Sequence, residues 1–120
     1  MRRLQWILVW VLQILLAALF AIQGVIKLAG SPRWVARFRA WGYPEHFYLF
    51  VGVLELAGGV LLLFPRLAKF GALTLFIVML AAAATHVIYH ERQVVTTLVL
   101  AALLATVFYL RRDRPFVPRL

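Results

Sequence analysis

The chain has 120 residues, of which 65% are hydrophobic and 14% charged, with a mean hydropathy of +0.94. Soluble domains hold about 45–50% apolar and about 25% charged residues, so this composition excludes a water-soluble globular domain and indicates an integral membrane protein. There is no cysteine, which excludes disulfides, thiolate catalysis and CxxC redox chemistry. The net charge of +9 falls mostly at the ends of apolar stretches, where basic residues set topology and meet anionic headgroups, so nucleic acid is not an expected partner.

The first apolar stretch runs over about residues 4–26. It is longer than the roughly 7–15 residues of a signal-peptide core, and it is expected to be a retained first span. Gln23 and Lys27 lie one turn apart near its end, beside a line of small residues formed by Ala17, Ala21 and Gly24. Lys at a span end often only reaches out to the interface. The connector that follows, SPRWVARFRAWGYPEHF, has a helix-entry signal at Ser31-Pro32 and stop signals at Gly42 and Pro44. Trp34, Phe38 and Trp41 recur at helical spacing, with Arg33, Arg37 and Arg39 largely on other faces. A short amphipathic helix at the outer interface is expected, read first as an aromatic belt that anchors the bundle and second as a lid over a pocket between the spans.

The second span is expected over about residues 47–64 and contains one acid, Glu55, near its middle. An ionisable group at that depth costs several kcal/mol, about 2.5–3.5 on insertion scales, and should face the bundle interior with a partner. Gly52, Gly58 and Gly59 share its face, which permits close helix approach. Pro65 and Arg66 end this span. The third follows over about residues 68–89, with His86 near its outer end, and His90-Glu91-Arg92 lead to a fourth over about residues 94–110. Backbone groups in hydrocarbon must be bonded internally, so each span should be a helix.

The expected fold is an all-α four-transmembrane-helix bundle, a single domain over residues 1–120. Arg2, Arg3, Arg66, Lys69, Arg111, Arg112, Arg114 and Arg119 lie on the side of the termini. Arg33, Arg37, Arg39 and Arg92 lie on the other, with Lys27 at its boundary. This bias predicts cytoplasmic termini and an inner (cytoplasmic) membrane location.

Gln23, Lys27, Glu55 and His86 form the candidate intramembrane polar site, with Trp41, Phe47 and Tyr89 as candidate pocket lining. Counting about 1.5 Å per residue from span centres places Glu55 roughly two turns deeper than Gln23 and His86. Lys27 falls one turn further out; its long side chain, a tilted helix or a bridging water could close part of the gap, and a direct contact is not expected. His86 and His90 share a face, but no third ligand is evident, so no metal site is expected. Glu55 either serves chemistry or only fixes helix register.

The sequence resembles the DoxX family, especially its shorter DoxX-like members. The resemblance rests on Gly24-Val25-Ile26-Lys27-Leu28, on Trp41-Gly42-Tyr43-Pro44, on Val51 to Gly59 with Leu61-Leu62-Leu63, and on Met79 to His86. It covers spans one to three, while the fourth matches only in being apolar. It implies a four-helix membrane bundle. For activity it implies quinone-linked sulfur oxidation, membrane oxidoreductase complexes, or assembly of other membrane proteins. Three functions stay open. The first is a quinone-associated oxidoreductase subunit in which Glu55 and His86 bond the quinone while Lys27 or Gln23 supports its charge. The second is a non-catalytic assembly or chaperone factor with a protein partner. The third, ranked last, is a small proton-coupled carrier acting as a homo-oligomer.

Overall fold

The computed structural model describes residues 3–112, and within them the chain forms five helices and no strand. They are α1 (Arg3–Leu28), α2 (Pro32–Ala40), α3 (Phe47–Leu61), α4 (Ala68–Ile88) and α5 (Gln93–Arg112). The basic residues Arg2, Arg114 and Arg119, which enter the topology expectation, lie outside the described residues.

Three helices, α1, α4 and α5, are long and apolar enough to cross a membrane. The expectation of four such helices is corrected at the second span. Helix α3 has 15 residues, a length of about 22 Å against a hydrocarbon core of about 30 Å. It stops at Leu61 instead of residue 64. Residues 62–64 wind into tight turns, with Leu63 N–H bonded to Val60 O and Phe64 N–H to Leu61 O. Pro65 is the cause, because a proline disfavours helical backbone in the residue before it.

Three helix ends share one device. The N–H of the second residue past the cap returns to the carbonyl of the third-last helical residue, and a left-handed residue sits between them. At the end of α1, Gly30 has φ +74° and Ser31 N–H reaches Ile26 O. At the end of α2, Gly42 has φ +79° and Tyr43 N–H reaches Phe38 O. At the end of α4 the left-handed residue is His90, with φ 56°, and Glu91 N–H reaches His86 O. Each reversal folds the residue after it back over the preceding turn. Tyr43 thereby lies on Phe38, and Glu91 lies on His86.

The packing order is α1 against α3, α3 against α4, and α4 against α5, while α1 and α5 meet only marginally. Apolar side chains turn outward along the long helices, including Leu8, Leu15, Ile22, Phe70, Ile77 and Val95, as expected when the solvent is lipid. The inward side is small or interlocked. Leu16, Ala17, Phe20, Leu62, Ala72, Leu75, Ala101, Leu104 and Val107 form one buried cluster.

Helices α1 and α3 meet backbone to backbone. A Cβ on Gly24 would lie 2.6 Å from Leu56 N and 2.7 Å from Gly52 O, and one on Gly59 would lie 2.9 Å from Ala21 N. Gln13 Nε2 donates to Leu62 O at 2.8 Å, which ties the end of α3 to the first half of α1. Helix α3 therefore lies along residues 13–28 of α1, and the N-terminal turns of α1 extend past it. Gly24→Ala must push two backbones apart, an overpacking defect worth about 1–3 kcal/mol. Thermal unfolding in detergent is expected to show that loss, whereas Val25→Ala on the outward face should change little.

Candidate functional site

The α1–α3 approach decides where the polar residues meet. A Cβ on Gly52 would lie 3.0 Å from Lys27 Cβ, and the Lys27 side chain runs inward from there to Glu55. Lys27 Nζ donates to Glu55 Oε1 at 2.5 Å, and both residues are almost fully buried, at 4% and 3% exposure. The two-turn offset expected from span centres is thus replaced by a direct ion pair. The centre-to-centre count failed because α3 packs against only part of α1. Lys27 does not reach out to the interface. Its ammonium also lies 4.0 Å from the ring centroid of Trp34, a cation–π contact with α2.

His86 does not pair with Glu55. Its Nδ1 donates to Glu91 Oε1 at 2.6 Å, which fixes the ring and leaves Nε2 as its other polar atom. Trp41 Nε1 also donates to Glu91, at 3.4 Å, and the Trp41 ring stands edge-on to the imidazole with centroids 5.6 Å apart. Glu91 lies in the turn between α4 and α5, and its carboxyl is held below the usual carboxylate range. The His86 hydrogen bond is the main cause; loss of water around the carboxyl works against it, and Trp41, the His86 charge and Arg37 add to the lowering.

A cavity of about 520 Å³ lies between these groups, with side chains from all five helices on its walls. Gln23, Lys27, Glu55 and His86 all line it, as do Trp41 and Phe47. Tyr89 does not. Its ring is on the outside at 45% exposure, and its hydroxyl donates to Trp41 O at 2.8 Å. The expectation for Tyr89 is corrected accordingly: the helix ends at Ile88, and the C-cap geometry turns Tyr89 away from the interior.

Helix α2 forms the roof. Trp34, Phe38 and Trp41 line the cavity, while Arg33 and Arg39 are exposed. Arg37 lies between two indoles, 5.0 Å from the Trp34 ring and 4.9 Å from that of Trp41. Tyr43 donates to the Thr85 hydroxyl, which itself donates to Ala81 O at 3.0 Å. Bonds from Tyr43, Trp41 and Tyr89 therefore fasten the end of α2 to the end of α4. This is the lid geometry, built from the same aromatics that would suit an anchor.

Sequence reasoning missed Thr85, Glu91, Gln93 and Thr97 as parts of this site. Glu91 looked like a helix breaker, and only its place two residues past the cap of α4 signals its return to His86. Gln13 and Arg111 were also missed. Arg111 Nε donates to Gln13 Oε1 at 2.6 Å at the opposite end of the chain's fold. A single Gln inside an apolar run was the available signal. Among the described residues, no three His, Cys, Asp or Glu side chains come together as metal ligands.

Two tests follow from this geometry. Glu55→Gln leaves the buried Lys27 ammonium without its counter-ion, and Lys27→Met leaves the carboxylate bare, so each should destabilise by about 3–5 kcal/mol. The double variant should recover much of that loss, as a double-mutant cycle of thermal unfolding would show. For Glu91, a folded-state pKa below the unfolded value means its contribution is complete above about 4.5 and is lost as pH falls through the folded value. Acid titration should therefore change the Trp41 fluorescence below about pH 4.5, and Glu91→Gln should abolish that step.

A family model described as the DoxX-like family matches residues 11–109. A Bacillus subtilis (strain 168) protein named "Uncharacterized protein YdgD" is 32% identical over 85 residues, covering 68% of this chain and 75% of that protein. No solved structure matches significantly. The matched segment takes in the Gly24–Lys27 turn, the lid and its Trp41-Gly42-Tyr43-Pro44 end, Glu55 and His86, so the chain belongs to the DoxX-like family of integral membrane proteins.

Proposed function

We propose that the cavity binds a lipid-soluble molecule with a compact polar head, a quinone, and that the protein serves as the quinone-associated subunit of a membrane oxidoreductase system. The observation that carries this reading is the cavity itself: an apolar chamber with Gln23, Lys27–Glu55 and His86 on its walls and an aromatic roof. These groups suit a quinone. The Gln23 amide and the Lys27 ammonium can donate to carbonyl oxygens, the His86 Nε2 can accept from a quinol hydroxyl, and the aromatic lining offers apolar surface to a ring. A bound quinone would supply two-electron chemistry. This chain would orient the head and hold protons at Glu55 and His86, while a partner protein delivers or removes electrons.

In this reading α3 acts as the fourth span. Residues 62–64 and local thinning of the bilayer make up its missing length, giving a four-helix bundle in the inner membrane with both termini cytoplasmic. The marginal contact between α1 and α5 supplies a lateral route from lipid into the chamber.

Native mass spectrometry of the protein purified from membranes tests the proposal, with Ala82→Phe as the comparison. Ala82 lines the cavity and takes no part in the polar pairs. The wild type is expected to carry one quinone, and the Phe ring should displace it with the fold intact. A wild type that retains a protein partner but no lipid-soluble molecule would overturn the quinone reading in favour of an assembly factor.

A further inference from the structure

The other end of the fold holds a second polar cluster that the cavity does not use. Arg111, in the last turn of α5, is fully buried. Its Nε donates to Gln13, whose amide nitrogen is already committed to Leu62 O. Its guanidinium carbon lies 4.9 Å from the ring centroids of both Trp6 and Trp10. Among the described residues, Arg111 Nη1 and Nη2 have no hydrogen-bond partner, and neither does the buried Trp6 Nε1. Among the described residues, these three N–H-bearing atoms are without an acceptor, and the guanidinium has no carboxylate beside it. The described acids, Glu45, Glu55 and Glu91, belong to the opposite half of the fold: Glu55 is held by Lys27, Glu91 by His86, and Glu45 precedes α3.

We propose that Arg111, with Trp6, binds a phosphate group at the basic end of the helices. The indoles occupy the guanidinium faces, so a ligand must meet its edge, where two parallel N–H groups match two oxygens of a phosphate. The indole N–H is a third donor to the same group. A water would satisfy hydrogen bonds but would leave the charge uncompensated. Arg3, Arg66, Lys69 and Arg112 lie at this end of the helices and give it a positive field, of the kind that draws anionic headgroups to the cytoplasmic leaflet. Trp6 is 1% exposed whereas Trp10 is partly exposed, so the side of Trp10 is the nearer approach to the guanidinium. Phosphate reaches such a position either as the diester of an anionic phospholipid or as the free ion.

Native mass spectrometry of the full chain with phosphatidylglycerol and with phosphatidylcholine separates the sources, alongside thermal unfolding with inorganic phosphate in detergent. The wild type should retain one phosphatidylglycerol in preference to phosphatidylcholine. Arg111→Gln should lower that retention about tenfold, the loss of one charge-assisted hydrogen-bonded contact. Arg33→Gln, which removes the same charge at the other end, should not. If Arg111→Gln fails to fold, Arg111→Lys keeps the charge, loses the planar fork and should still weaken retention. Stabilisation by inorganic phosphate that disappears in the Arg111 variant, with no lipid adduct, would assign the site to the free ion. Equal lipid retention in the wild type and the folded Arg111 variant, with no effect of phosphate on unfolding, would overturn the proposal.

Discussion

The direct backbone approach of α1 to α3 organises the molecule. Gly24 against Leu56 and Gly52, and Gly59 against Ala17 and Ala21, leave no room for a side chain. Without water to drive apolar surfaces together, close packing of small residues is the main attraction available to helices in lipid. That approach fixes a register, and the register places Lys27 where its side chain can reach Glu55. The ion pair is then a consequence of the glycines. Its net stabilisation is small, because desolvation offsets much of the Coulomb attraction. What it does is hold two otherwise costly groups at one place on the wall of a chamber.

The rest of the chamber depends on that fixed corner. Trp34 lies on the Lys27 ammonium, so the roof helix is bound to the ion pair at one end. At its other end Tyr43 and Trp41 are bound to α4 through Thr85, Glu91 and Tyr89. The roof is therefore fastened at two points to two different helices, with the cavity beneath it. Helices α1 and α5 are joined near Gln13 and Arg111, while both contribute wall residues to the cavity, Phe20 and Gln23 from α1 and Thr97 and Leu100 from α5. The fold is thus tied at its basic end and hollow at the other.

Much of this was legible in the sequence. Apolar runs located α1, α4 and α5, and the Ser31-Pro32 and Gly42 signals located α2 to within a residue. The small-residue line through Ala17, Ala21 and Gly24 and the glycines around Glu55 identified the two faces that pack. Their relative register was not legible, because a count from span centres assumes that helices share a midplane, and the short α3 does not share one with α1. Pro65 pointed to a break, but not to the three residues of tight turn before it. Partner choice was also hidden. His86 finds Glu91 through a local chain reversal, and Arg111 finds Gln13 across 98 positions of sequence, a pairing that no periodicity encodes.

Because the chain has no native cysteine, disulfide trapping in membranes reads the α1–α3 register without background. The Cβ positions of residues 27 and 52 lie 3.0 Å apart, tighter than the roughly 3.5–4.5 Å of disulfides, so the helices must open by a few tenths of an ångström to admit the bond, whereas a pair in another register would have to move by whole turns. The Lys27→Cys, Gly52→Cys pair should therefore cross-link within one chain. The Gln23→Cys, Tyr48→Cys pair, which a two-turn offset would align, should stay reduced. The reverse result, with residues 23 and 48 joined and residues 27 and 52 not, would contradict the register and with it the Lys27–Glu55 pair on which the site is built.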